Sequence, residues 1–567
     1  MEGEVEGEVA PLKQKASDQK LRGGYYTPRP ISDFLARYAI RSANTKALEP
    51  SCGDGNVLEA AVDVFLDLGV SKKSIPEVLM GLEINPGEAR RAISRLNASG
   101  IPVSDRDIIV GDFFRYCRRY LDGQVYFNAV IGNPPFIRYQ NLSEELRTVA
   151  FDLMHSAGLH PNRLVNAWVP FLVGSTLLLA DRGRLAMVIP AELLQVSYTA
   201  ELRQFLSRAY SRITLITFKR LLFEGVQQEV VLFLGEKNGT ERKGIRTIEL
   251  EGIDDLATCD EADFSSGELK PLDHSTEKWT QYFLTGAEIE LLRRLRRDPR
   301  LKRLGDVAGV DVGVVTGLNE FFILNQEKTK EYELGTYTIP IVCRSSHLSG
   351  IIFSKADLRA NREKNYPSLL LNVPGIPKEK LSKSLRQYIE DGERRGLNNG
   401  YKCSIRDPWY MVPSVWTPDA FMLRQIHSYP KIILNETRAT STDTIHRVRF
   451  HSGTEGKALA AAFLNSLTLA FSEVIGRSYG GGVLELEPTE AENLPIPLIG
   501  SEKLDSEFIN ELAVSNSIRQ VLDNADPVLL CDGLGLSIKE TEMLRGIWEK
   551  LRDRRNGRRH TSTRKSS

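Results

Sequence analysis

Residues 131–139 read Ile-Gly-Asn-Pro-Pro-Phe-Ile-Arg-Tyr and follow the short apolar run Val125-Tyr-Phe-Asn-Ala-Val-Ile. The run is bounded by glycines and reads as a buried strand. Its C-terminal end would carry Asn133-Pro134-Pro135-Phe136, at the edge where open α/β sheets place their ligand crevices. Proline has a fixed φ and no N–H, so two in succession make a stiff loop that holds carbonyls in one direction. The Asn133 side-chain oxygen and the Pro134 carbonyl are acceptors suited to an NH2 group. Phe136 offers a flat apolar face to a planar ring. Alone, the same residues also describe a strand-ending turn with one buried aromatic, because Asn-Pro opens many turns. The flanking segments decide between the two.

The 567 residues predict about two to four domains. Hydrophobic residues make up 41% and charged residues 26%, the proportions of a soluble globular protein. Lys+Arg and Asp+Glu both number 74, so net charge points to no polyanionic partner. An enzyme acting on nucleic acid can still be neutral overall if its basic residues line one cleft. Cys52, Cys117, Cys259, Cys343, Cys403 and Cys531 form no Cys-x-x-Cys pair. No metal site and no disulfide framework is expected, and a reducing compartment is. No apolar run approaches the ~18 residues of a membrane span. The acidic start Met-Glu-Gly-Glu-Val-Glu-Gly-Glu lacks a signal core. A cytoplasmic protein with no membrane association is expected.

Residues 1–22 are polar and read as a flexible tail. Tyr25-Tyr26-Thr27-Pro28 then leads into the helical pattern Ile31, Phe34, Leu35, Tyr38, with Thr27 as the expected N-cap and Pro28 in the first turn. Lys46-Ala-Leu-Glu-Pro-Ser-Cys-Gly-Asp-Gly-Asn-Val-Leu-Glu runs from a short strand through a small-residue loop into a helix. Gly53 and Gly55 let the backbone come close to a ligand, and the helix N-terminus favours negative groups. A second strand, Val78-Leu-Met-Gly-Leu-Glu-Ile-Asn-Pro, carries Glu83 near its end, where dinucleotide folds bind ribose hydroxyls. A third, Ile108-Ile-Val-Gly-Asp-Phe-Phe, ends on Asp112 and Phe113, a pair able to hydrogen-bond an adenine amine and cover its ring. The fourth delivers Asn133. One polar group at the same edge of each of four strands is a constellation rather than a solvated surface.

The alternation continues with an amphipathic helix over 171–179, a strand over 183–190, a helix over 201–209, and strands over 212–218 and 229–234 around a loop bearing Phe223. This pattern predicts an α/β fold with a doubly wound, mainly parallel sheet, spanning residues 23–240. Residues 241–280 are acidic and poor in large apolar residues, and read as a linker or insertion.

The ordered series Tyr26-Thr-Pro, Leu48-Glu-Pro-Ser-Cys-Gly-Asp-Gly, Gly81-Leu-Glu-Ile, Gly111-Asp-Phe-Phe and Asn133-Pro-Pro-Phe resembles the N6-adenine DNA methyltransferases of restriction–modification systems. With the cofactor-capping segment first and the recognition region last, the resemblance is to the gamma class, of the TaqI type. It implies a class I methyltransferase fold that uses S-adenosyl-L-methionine. Tyr26, Thr27, Pro28, Glu49, Ser51, Gly53, Gly55, Glu83, Ile84, Asp112 and Phe113 would line the cofactor pocket. Asn133, Pro134 and Phe136 would act on a flipped adenine, with Phe223 on its other face and Phe218 as the alternative for that role. The family often has Tyr where Phe136 stands, so no hydroxyl is available there.

In the second half, alternating β-branched residues and glycines over 305–324 suggest curved, bulged strands. Shorter strands are expected at 338–342, 351–353 and 431–435. Arg344, Arg406, Trp409, Arg477 and Tyr479 suit phosphate or groove contact, and an irregular α+β domain accounts for the same residues. From Gly313-Val-Val-Thr-Gly-Leu-Asn to Asn493-Leu-Pro-Ile-Pro, the chain resembles the family's DNA-recognition domain, so 281–500 is assigned to target recognition. Residues 501–567 read as a C-terminal helical segment, with Ser537 and Glu540 as a capping box and a basic tail after Arg552. The expected partner is double-stranded DNA, bound by a monomer, and the resemblance leaves room for a separately encoded cognate restriction endonuclease. A fused nuclease is not expected. Two other readings remain: a methylase of RNA or protein sharing Asn-Pro-Pro-Phe, and a catalytically silent DNA-recognition protein.

Overall fold

The computed structural model describes residues 27–122, 126–162, 164–219, 229–238, 243–259, 267–275, 277–479, 481–515 and 517–557. The chain divides into two compact units, Met1–Thr285 and Gly286–Ser567.

The first unit is built on an eight-stranded sheet. Its strands are β1 (Ala47–Glu49), β2 (Leu79–Glu83), β3 (Ile108–Val110), β4 (Phe127–Gly132), β5 (Leu179–Pro190), β6 (Arg212–Phe218), β7 (Val230–Glu236) and β8 (Gly244–Leu250), in the order β3-β2-β1-β4-β5-β7-β6-β8. β1 pairs in parallel with both β2 and β4, β2 with β3, and β4 with β5. Only β7 runs antiparallel to its neighbours β5 and β6. The near-continuous apolar strands follow from burial on both faces, as in β7, where every residue is buried. Because the order reverses between β1 and β4, the crevice lies outside their carboxyl ends.

Two expectations about this unit are corrected. Residues 241–280 are not a linker: Gly244–Leu250 adds β8 beside β6 in parallel register, and Lys270 bridges back to Ile245. The acidic stretch that masked the strand begins only at Glu251. The helix Trp168–Leu178 is not amphipathic but buried over most of its surface, with Trp168 fully enclosed.

The second unit is α+β. A five-stranded sheet runs in the order Ala308–Asp311, Ile445–Phe450, Ala420–Leu423, Ile432–Asn435, Ile352–Phe353, and a four-stranded sheet carries Thr338–Val342. The expected strands over 305–324 reduce to Ala308–Asp311 and Ile323–Leu324. Between them the backbone makes an isolated bridge, the Val314 N–H donating to the Ser441 carbonyl at 2.7 Å, and is further held by side chains. Arg447 donates to the Val312 carbonyl at 3.0 Å, and Arg406 to those of Val315 and Thr316 at 2.7 Å each.

Residues 501–557 are largely helical and belong to the second unit. The final helix, Ile538–Gly557, starts at the expected box, with the Ser537 N–H donating to Glu540 Oε2 at 2.8 Å. It packs on the buried helix Ser466–Ile475. Arg555, read from sequence as part of a solvated basic tail, is 2% exposed and forms a two-pronged ion pair with Glu473 at 3.1 and 2.7 Å. It also donates to the His427 carbonyl at 3.1 Å. Residues 558–567 lie outside the described residues. Among the described residues no single helix is long and apolar enough to cross a membrane.

Glu473→Ala strands the Arg555 guanidinium in the interior, so equilibrium urea unfolding should show a loss of about 3–5 kcal/mol. A loss below about 1 kcal/mol would place the pair among weak surface contacts.

Candidate active site

The carboxyl edge is assembled from four strand ends. β1 is buried throughout and ends on Glu49, itself 2% exposed. The loop that follows turns back on itself, with the Gly55 N–H donating to the Cys52 carbonyl at 2.9 Å. Gly53 has φ +54° and Gly55 φ +91°, conformations that favour glycine. Gly55 has a second reason: a Cβ there would sit 3.0 Å from the Ala92 Cβ on the helix Pro86–Ala98. Around Gly53 the space is open.

Glu83 at the end of β2 ties this loop down. Its Oε2 accepts from the Gly53 N–H at 2.9 Å and its Oε1 from the Asn85 N–H at 2.8 Å. Asn85 in turn caps Pro86–Ala98, accepting from the Gly87 N–H at 2.8 Å. On the other side, the Ser51 hydroxyl donates to the Asn133 carbonyl at 3.4 Å. A Cβ on Gly132 would lie 3.5 Å from Glu49 Cγ, so the Asn133-Pro-Pro-Phe loop starts in van der Waals reach of Glu49. Its exit is pinned by the Ala167 N–H donating to the Ile137 carbonyl at 2.8 Å. Pro134 is buried and Phe136 half-buried against the main core cluster.

The carboxylates of this edge carry a cost. Burial, reinforced by Glu83 and Asp54, holds the Glu49 carboxyl well above the usual range, and its Oε2 has no hydrogen-bond partner among the described residues. Burial also raises Glu83, opposed by the amides of Asn85 and Gly53. Asp112, after β3, accepts from the Phe114 N–H at 2.9 Å through Oδ1, while its Oδ2 makes no side-chain hydrogen bond among the described residues but pairs loosely with Arg115 Nε at 3.8 Å. Burial raises it too. Among the described residues no group of His, Cys, Asp and Glu is arranged to hold a metal ion.

The structure redistributes several expected roles. Thr27 is buried but does not cap its helix: Pro28 occupies the cap position of Arg29–Ala39, and its carbonyl accepts from Ile31 and Ser32. Arg29 reaches Glu59 at 3.3 Å, which sets this segment beside the first turn of the helix that follows Gly55. Phe113 is only 2% exposed and stacks on Phe171 at 5.0 Å, so its ring is packed within the core. Ile84, next to Glu83, is 57% exposed, and Phe171 is half-buried. The packing of Phe171 on Phe113 was not legible in the sequence, because Phe171 sits inside an apolar run that signals only burial.

Phe218 is 4% exposed, packed in the core, and offers no stacking face. Tyr26 and Phe223 lie outside the described residues. In the second unit Arg406 is engaged with backbone carbonyls. Trp409 packs on Phe321 and donates to Glu393 at 3.1 Å, and Arg477 pairs with Glu490 at 3.0 Å. These three hold the unit together. Arg344 is exposed, as is Tyr479 at 44%.

A seven-stranded core order with one antiparallel strand, a glycine loop after β1, an acid after β2 and the acceptor loop after β4 define a class I methyltransferase fold. The comparisons with known proteins take this further. The N-6 DNA Methylase family matches residues 11–287, and the family of the C-terminal domain of the type II methyltransferase M.Eco57I matches 276–530. The two ranges meet where the two structural units divide. The type II methyltransferase M.AccI of Acinetobacter calcoaceticus is 21% identical over 487 residues, 82% of this chain and 83% of that one. M.XamI of Xanthomonas campestris pv. amaranthicola is 22% identical over 494 residues, covering 84% and 85%. The type IIL restriction–modification enzyme MmeI, solved in complex with DNA, superposes with a TM-score of 0.58 at 11% identity, over 93% of this chain and 75% of that one. That likeness is one of fold alone. Together the two family matches and the type II methyltransferase relatives support an N6-adenine restriction–modification DNA methyltransferase of the gamma type.

The raised Glu49 carboxyl makes a prediction for the ligand-free protein. A carboxyl whose folded pKa lies above its unfolded value of about 4.5 supports the fold below that pH and opposes it as pH rises. Glu49→Gln should therefore melt higher than the parent near pH 7, with the gap closing as pH falls towards 4.5. A parent more stable than Glu49→Gln at neutral pH would contradict this environment.

Proposed function

We propose that the protein transfers a methyl group from S-adenosyl-L-methionine to N6 of adenine at a specific site in double-stranded DNA, as the modification enzyme of a restriction–modification system in the cytoplasm. The observation that carries this reading is the parallel pairing of β1 with β4, which sets Glu49, the glycine loop and Asn133 side by side at the switch point. The acceptor set fits the cofactor. The buried Glu49 Oε2, without a hydrogen-bond partner among the described residues, suits an ammonium, and Asp112 Oδ2, paired only loosely with Arg115 at 3.8 Å, suits an adenine amine. Glu83 keeps lone pairs for ribose hydroxyls beyond the two amides it already accepts. Thr27, Pro28, Ser51, Gly53 and Ile84 complete the lining. When bound, the cofactor supplies an electrophilic methyl on a sulfonium.

The protein's own residues prepare the nucleophile. The adenine amine is weakly nucleophilic because its lone pair is delocalised into the ring. Asn133 Oδ1 and the Pro134 carbonyl would accept its two hydrogens, favour a pyramidal nitrogen and direct the lone pair. The amine of a stacked base cannot reach this edge, so the base must leave the duplex. Phe136 would stack on it, offsetting roughly 1–3 kcal/mol of the unstacking. Phe223 is the family's candidate for the opposite face. The second unit, Gly286 onward, takes the role of recognition domain, and its exposed Arg344 and Tyr479 are the remaining contact candidates from sequence. A methylase of RNA or protein would have less use for a second unit of this size.

Asn133→Ala separates chemistry from binding. Methyl transfer to duplex DNA should collapse in single-turnover assays, while cofactor and DNA affinities stay within a few-fold, since the lost acceptor acts mainly in the transition state. Wild-type turnover in Asn133→Ala would mean that the site is misplaced.

A further inference from the structure

In the second unit, two arginines of one strand converge on a single tryptophan. Arg447 and Arg449 lie two residues apart on Ile445–Phe450, hence on the same face. The guanidinium carbon of each stands 4.3 Å from the centre of the Trp416 ring. Their surroundings differ sharply. Arg447 is 2% exposed and saturated: it donates to the carbonyls of Val312 and Ser414 at 3.0 and 2.6 Å and pairs with Asp311 at 3.2 Å. Arg449 is exposed, and its partner across the ladder is Gly309, which has no side chain. Among the described residues Arg449 takes part in no hydrogen bond or ion pair. The neighbouring Asp419 accepts instead from the Phe450 N–H at 2.9 Å.

Arg447 therefore builds the platform, and Arg449 rests on it with its donors unused. A guanidinium held against an indole keeps a fixed plane, so little side-chain freedom is lost when its fork engages two acceptors. The same surface carries the exposed Arg438, whose carbonyl accepts from Thr417 at 3.4 Å. In a chain with equal numbers of acidic and basic residues, such a cluster is a local feature and needs a local purpose.

The geometry points to Arg449, laid on Trp416, as a specificity-determining residue that reads a guanine edge of the DNA site. The acceptor pair it fits is O6 and N7, the pattern that arginine reads bidentately in the major groove. This rests on the reading of the second unit as a DNA-recognition domain. Phosphate oxygens are the other source of paired acceptors, and a lysine substitution tells them apart, because lysine keeps the charge but loses the fork.

The test uses the full-length protein with S-adenosylmethionine and a randomised duplex library, the methylated positions being read by single-molecule sequencing. Arg449→Lys and Arg449→Ala should both relax the preference at one G·C pair, by about 10- to 100-fold, with cofactor affinity unchanged. Trp416→Leu should relax the same position less. If Arg449→Lys matches the parent while Arg449→Ala weakens binding to all sequences alike, Arg449 contacts phosphate and the assignment is overturned. If both variants keep parental selectivity and only melt lower, Arg449 merely covers Trp416, and the assignment again fails. A parent enzyme that methylates with no sequence preference would instead sink the recognition-domain reading, and this assignment with it.

Discussion

The parallel pairing of β1 with β2 and β4 is the constraint on which the rest of the first unit depends. It brings several strand ends to one edge and forces two carboxylates, Glu49 and Glu83, into a poorly solvated neighbourhood. Carboxylates so placed repel each other and lose hydration. The chain answers differently at each. Glu83 is compensated by two backbone amides and becomes the clamp that shapes the glycine loop. Glu49 keeps one oxygen without a hydrogen-bond partner among the described residues, an arrangement that destabilises the empty fold and suits a cationic ligand.

That clamp has consequences along the edge. With Gly53 fixed by Glu83, Ser51 is set to reach the Asn133 carbonyl. The orientation of the Asn-Pro-Pro-Phe loop is thus tied to the loop that holds the cofactor in the proposed reaction. Donor and acceptor loops are coupled through one short hydrogen-bonded path that uses the Glu83 carboxylate and the Ser51 hydroxyl. The second unit follows the same logic with cations. Arg406 and Arg447 donate to the carbonyls of 312–316, so a stretch with one isolated β-bridge, at Val314, is held in shape from the side.

Much of the first unit was legible in the sequence because its signals were local. Short apolar runs ending in Glu49, Glu83, Asp112 and Asn133 marked both the strands and their common edge. What stayed hidden shares one cause: a side chain's partner was distant in sequence. Nothing local shows that Phe171 packs on Phe113, or that Glu393 and Glu490 engage Trp409 and Arg477. Arg555 looks like a tail residue until Glu473 is found beneath it. The acidic segment beyond Glu251 hid β8, since composition averaged over 241–280 diluted seven strand residues. Trp416 and Arg449 went unnoticed because nothing in their spacing joins them.

In the proposed reaction this edge directs a methyl group onto an exocyclic adenine nitrogen in DNA. Duplex DNA treated with the purified protein and isotope-labelled S-adenosylmethionine, then digested to nucleosides and resolved by mass spectrometry, tests that directly. The label should appear in N6-methyl-2′-deoxyadenosine alone. Label in a methylated cytosine, or transfer to RNA or protein with none to DNA, would contradict it.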